Sequence, residues 1–195
     1  MRLKNRDLKI EDTAFIESYL KRYQKALFES DVMQELLELK EILTCLSSKN
    51  RKAIIVGNGG SAAIASHVSV DYTKQAGIRT VNFNESDLIT CFANDYGYEN
   101  WVAKALEKYG DEGDVVILIS SSGNSRNIVN AAITAKKMKM TVVTLTGFDS
   151  KNQLKQEGEI NLWLDSKAYN IVENTHLIWL LLVCDMIIGK AEYSA

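Results

Sequence analysis

Proline is absent from all 195 residues, which removes one of the two marks by which turns are read and carries no functional inference. Cysteine is scarce. Cys45, Cys91 and Cys184 stand far apart with no C-x-x-C pair. An odd, scattered set without secretory features implies reduced structural thiols in a cytoplasmic protein, with a reactive nucleophile as the rarer case. Excess charge is also missing: 23 Lys and Arg face 25 Asp and Glu, for a net charge of −2. No basic block of the kind that tracks a phosphate backbone is present, so nucleic acid is not an expected partner. The start, "MRLKNRDLKI", has no apolar h-region, so no signal peptide is expected. The longest apolar stretch, "LIWLLLVCDMIIG" (177–189), is too short for a bilayer and carries Asp185. It reads as a buried helix, and no membrane partner is expected.

What is present is an ordinary globular composition, 46% apolar and 25% charged. The length suits one domain over 1–195. Residues from about 11 to 48 repeat apolar positions at helical spacing in "FIESYLKRYQKALFE" and "VMQELLELKEILTCL", with Asp12 or Thr13 as a cap for the first. From about 52 to 190 the pattern changes. Short apolar runs ("AIIVG", "RTVNF", "DVVILIS", "MTVVTLTG", "EINLWL") alternate with helical segments near 61–76, 99–109, 125–138 and 170–189. Strands without polar alternation, separated by helices, indicate a parallel sheet covered on both faces. The expected fold is α/β: a doubly wound, flavodoxin-like five-stranded parallel sheet preceded by an N-terminal helical hairpin. Ligands of such sheets bind beyond the carboxyl ends of the strands.

Two loops at such ends stand out. "GNGGS" follows the first run and "SSSGNSRN" follows the third. Glycine lets backbone amides approach an anion, and a helix start offers unpaired N–H groups. Ser120, Ser121, Ser122 and Ser125 add hydroxyls, and Arg126 adds a cation. Each loop alone is equally consistent with a capped tight turn; together, on strands that could be neighbours, they favour a phosphate site. Neither is a Walker motif or a dinucleotide fingerprint.

With "FANDYGYEN" and "MTVVTLTG", these loops make the chain resemble the SIS sugar-isomerase family, and within it the phosphoheptose isomerases, from about residue 12 to 189. The resemblance implies interconversion of sedoheptulose 7-phosphate and manno-heptose 7-phosphate, for lipopolysaccharide or capsule precursors. It implies substrate contacts at Asn58, Gly59, Gly60 and Ser61, sugar contacts at Asn94 and Asp95, and phosphate contacts at Ser120, Ser121, Ser122 and Ser125. It further implies a cytoplasmic homotetramer with sites between subunits. Some family members bind zinc.

Aldose–ketose isomerisation needs a base for a C–H proton and an acid or a metal for the oxygen. His67 matches a family zinc-ligand histidine. Asp71, at i+4 on the same helical face, stands where the family has glutamate, one methylene longer. Glu173 falls where a glutamine ligand is expected, and Leu181 on the catalytic histidine position. His67, Asp71 and Glu173 are therefore the candidate catalytic set, and equally a three-ligand set for zinc, with no cofactor required by the residues themselves. The two carboxylates are expected to face one another. Glu173 and His176 also suit a surface i,i+3 pair. Loss of the family histidine leaves open a non-catalytic SIS protein that binds a sugar phosphate or a protein, of the replication initiator-associating type, and an isomerase of another substrate with Glu173 as base.

Overall fold

A computed structural model describes residues 10–192. Two helices, α1 (Ile10–Phe28) and α2 (Met33–Ser48), precede the sheet. Asp12 lies inside the first turn of α1 rather than at a cap, where its charge suits the helix dipole. On α2 the buried Leu36, Leu39, Leu43 and Leu46 form a single apolar stripe. Alternation follows: β1 (Ala53–Gly57), α3 (Gly60–Lys74), β2 (Thr80–Asn82), α4 (Ser86–Tyr96), α5 (Trp101–Tyr109), β3 (Val115–Ser120), α6 (Arg126–Lys137), β4 (Thr141–Thr146), α7 (Gln153–Glu157), β5 (Ile160–Trp163) and α8 (Tyr169–Ile188).

All pairings are parallel and the order is β2-β1-β3-β4-β5. Side chains alternate across the sheet. Ile55, Ile117, Val143 and Leu162 face a core shared with α2, α3 and α8. Ile54, Val116, Leu118 and Val142 face a second core shared with α5 and α6. The strand order turns back between β1 and β3, and the loop that follows each is one of the two glycine- and serine-rich loops. Both therefore open on the crevice where such sheets bind ligands.

α4 and α7 are additional to the helical segments expected from the sequence. α4 buries no residue completely, yet Leu88, Ile89, Phe92 and Ala93 rest on the second core, and that spacing is a helical signal. α8 is long and apolar enough to cross a membrane by length and composition, but it packs along the first core through Ile171, Val172, Trp179, Leu180 and Val183. Its outer face, with Ile178 and Leu182, is exposed. The cysteines divide differently from the expectation of buried thiols. Only Cys184 is buried, and burial, with Asp71 and Asp185 nearby, pushes its thiol up to about 11. Cys45 and Cys91 are exposed and unpaired.

Candidate active site

The second loop builds a cradle of hydroxyls. β3 ends at Ser120, whose Oγ donates to Ser125 Oγ at 3.1 Å. Ser125 occupies the N-cap of α6 in extended backbone, but its side chain makes no capping bond. Its hydroxyl is thus turned to the loop rather than spent on the helix. Ser121 Oγ is buried without a hydrogen-bond partner. A hydroxyl in that state is costly unless a ligand satisfies it. Gly123 carries φ +67°, and a Cβ there would overlap the side chain of Asn152. Asn152 caps α7 by accepting from Lys155 N at 2.9 Å.

The first loop packs against this cradle. A Cβ on Gly57 would strike the Ser61 backbone, and Gly59 adopts φ 54°, ψ −121°, so both need glycine. Asn58 and Asn127 exchange two amide hydrogen bonds of 2.9 Å, tying the loop to the first turn of α6. Tyr98 Oη donates to Asn58 Oδ1 at 3.2 Å. Gly60 begins α3, and the Glu173 carboxylate lies where its Cβ would be. A negative group is thereby seated at a helix N-terminus, where the dipole favours it. A cavity of about 150 Å³ results, lined by Asn58, Ser61 and the serines 120, 121, 122 and 125, with Tyr169 and Glu173 on its wall. Tyr169, Asn127 and Asn152 join the site without a motif to mark them, and of the three only the cap residue Asn152 carries a usable local signal.

The remaining candidates lie elsewhere. His67 Nε2 stands 3.3 Å from Asp71 Oδ2, on a face where the histidine side chain is 53% exposed. α3 and α8 run side by side in the same direction, Gly60 meeting Glu173 and Tyr72 Oη donating to Leu180 O at 3.0 Å. From Gly60 to Asp71 the axis of α3 runs about 16 Å. Asp71 and Glu173 of one chain therefore do not face one another, contrary to expectation. Zinc requires three or four donors around one point. Among the described residues no three His, Cys, Asp or Glu side chains converge in that way. His67 and Asp71 supply two donors, and Glu173, on α8, lies at the first turn of α3 rather than beside them, so the three-ligand set does not fit a metal within one chain.

Leu181 packs against the first core and has no proton to exchange. His176 is not part of a surface pair: it is fully buried, with Nε2 3.1 Å from Thr146 O. Asn94 and Asp95 stand at the exposed end of α4, bonded to each other at 2.9 Å and outside the cavity wall.

Residues 15–147 match the family model described as SIS domain. The phosphoheptose isomerase of Sulfurimonas denitrificans is 31% identical, aligned over 88% of this chain and 95% of that protein. The phosphoheptose isomerase of Helicobacter pylori (strain P12) is 32% identical over 85% and 90%. A solved phosphoheptose isomerase from Francisella tularensis superposes with a TM-score of 0.84 at 25% identity, covering 91% of this chain and 98% of that one. Its counterpart from Neisseria gonorrhoeae gives 0.80 at 28%, covering 91% and 97%.

Proposed function

The chain belongs to the SIS-domain family, among the relatives of the phosphoheptose isomerases, and on that premise we propose that it interconverts sedoheptulose 7-phosphate and manno-heptose 7-phosphate. The observation that carries the reading is the cavity at the strand switch point, which five serines and a carboxylate line together. Hydroxyls and helix-start amides suit a phosphate monoester. The non-catalytic reading is not favoured, since the relatives aligned along nearly their full length are isomerases.

Ser120, Ser121, Ser122 and Ser125 hold the phosphate, and Asn58, Gly59, Gly60 and Ser61 hold the adjoining part of the sugar. The phosphate is on C7 and the chemistry is at C1 and C2, so the reacting carbons lie away from the serines, toward the first loop, where the Glu173 carboxylate rests against Gly60. A cavity of about 150 Å³ is well below the roughly 300–1,000 Å³ of a complete ligand pocket. The reacting end must therefore extend to groups that one chain does not enclose. The His67–Asp71 pair, its histidine exposed and its aspartate half-buried beside the exposed Val70, suits that role in a homotetramer whose sites lie between subunits. Cradle and Glu173 come from one chain, His67 and Asp71 from a neighbour.

In the forward direction a carboxylate, Asp71 or Glu173, removes a proton from C1 of the ketose. The carbonyl oxygen at C2 takes a proton as the enediol forms. Return of a proton to C2, with loss of the O1 proton, gives the aldose. His67, oriented by Asp71, serves the oxygens. Asn94 and Asp95, at the exposed end of α4, reach the sugar hydroxyls only in the assembled site. The cytoplasm and surface-polysaccharide precursor synthesis are the setting this reading implies.

NMR of sedoheptulose 7-phosphate in deuterated water tests it. Deuterium entry at the carbon beside the carbonyl, with aldose formation, is the expected result. Asp71→Asn and Glu173→Gln should each slow the reaction at least about a hundredfold, with binding retained. Binding without any exchange, with or without added zinc, would return the chain to the non-catalytic class.

A further inference from the structure

His176 takes no part in the chemistry just described, yet it is one of only two histidines in the chain. Its ring is fully buried beside Trp179, their centroids 5.8 Å apart. Nε2 is 3.1 Å from the carbonyl of Thr146, and Nδ1 is buried with no partner. A carbonyl accepts, so Nε2 carries the proton and Nδ1 is the bare nitrogen.

Thr146 is a junction. It ends β4 in register with Ser120, the first residue of the cradle. Its Oγ1 accepts from Asn152 Nδ2 at 3.2 Å, and Asn152 is the side chain packed against Gly123. The next residue, Gly147, donates from its N–H to Ser121 O at 2.9 Å. Val172, on the turn of α8 before His176, rests on Gly147 so closely that a Cβ there would crowd it. Between Val172 and His176 the same helix carries Glu173 into the cavity. The first turns of α8 thus grip the strand end from which the hydroxyl loop is hung.

We propose that His176 is a positioning residue, which fixes α8 and its Glu173 against the hydroxyl loop through the carbonyl of Thr146. Thr146 O also accepts from Leu164 N at 2.9 Å, so the strand keeps its ladder without the histidine. What the histidine adds is a tie between the helix and the loop. The inference rests on the sugar-phosphate reading of the cavity and assigns no proton transfer to His176.

Two measurements test it. In the first, the ring nitrogens of the wild-type protein are followed by NMR, with the two histidines told apart by His67→Gln. The expected free state has a protonated Nε2 and a bare Nδ1, and saturation with inorganic phosphate or sedoheptulose 7-phosphate should shift both His176 signals. The second is kinetic. His176→Leu removes the donor and should raise KM about tenfold and lower kcat several-fold, since it loosens both the hydroxyl loop and Glu173. His176→Gln, which keeps an N–H, should recover most of that loss. Asn152→Ala should match His176→Leu, and the double variant should be little worse than either, since both cut the same tie. Unmoved His176 signals on phosphate binding, or a folded His176→Leu with unchanged KM, would overturn the assignment. If the wild-type protein bound no sugar phosphate at all, it is the reading of the cavity that would fall.

Discussion

At the scale of single residues, two buried side chains separate what serves the fold from what serves the ligand. Ser121 Oγ has no partner, so removing it deletes no hydrogen bond of the free protein. Ser121→Ala should leave the melting temperature unchanged or slightly raised. Phosphate should bind about ten- to a hundredfold more weakly, the scale of a lost hydrogen bond to a charged group. Calorimetry on the folded variant decides it, and equal affinity would remove Ser121 from the cradle. His176 works in the opposite sense. Burial lowers its pKa to about 4, against the carbonyl of Thr146, which favours the protonated form. The unfolded chain, titrating near 6.5, takes up the proton first as pH falls. The stability held by the neutral ring is thus fully present above about pH 6.5 and is lost as pH falls toward 4. Between pH 7.5 and 5 the loss should be about 2 kcal/mol. Urea unfolding should show it in wild type and not in His176→Gln.

At the scale of elements, the loops are held by side chains from other loops, and this is where sequence and structure part. The five strands and most helices were legible, because a strand buried on both faces is written as an unbroken apolar run and the helices keep their period. α4 is short, and its helical spacing of Leu88, Ile89, Phe92 and Ala93 is broken up by polar residues, so its period is weak. The hydroxyl loop was legible as well, since serine and glycine after such a run have few other uses. The relation of Glu173 to Asp71 was not. It depends on how α3 and α8 are set side by side, which no local pattern records. His176 read as a surface residue from its spacing to Glu173, yet Val172, Thr175 and Trp179 show that its face is turned inward. The tie between loops can be tested at Gly123. Gly123→Ala places a Cβ at positive φ and into Asn152, and should lower stability by about 1–3 kcal/mol and abolish phosphate binding. Gly77→Ala is the control: it has the same φ +67° with nothing near, so it should share the strain and keep the binding.

At the scale of the whole molecule, several large apolar side chains stand on the outer surface. Phe15 is 69% exposed, Leu20 60% and Val70 59%, with Ile178 and Leu182 beside them in kind. Scattered apolar residues are ordinary, but Val70 stands next to Asp71 of the His67–Asp71 pair, and with the exposed apolar side chains of α1 and α8 it suits a covered surface. On the proposed site shared between subunits, light scattering should report a tetramer at micromolar concentration, and Leu182→Asp should dissociate it and abolish activity together. A sharper test follows from the division of labour proposed for the site. Asp71→Asn removes a carboxylate from one side of a shared site, and Glu173→Gln removes one from the other. Each variant alone is nearly inactive. If the two are unfolded together and refolded as mixed tetramers, a site is intact when its Asp71 comes from the Glu173→Gln chain and its Glu173 from the Asp71→Asn chain. With random assortment in an equal mixture, roughly a quarter of the sites meet both conditions. Activity should thus rise from below about one per cent to roughly a quarter of wild type. A mixture that stays as inactive as its components would place all three side chains in a site belonging to one chain. The separation of Asp71 from Glu173 along α3 would then have to close by movement of the helices.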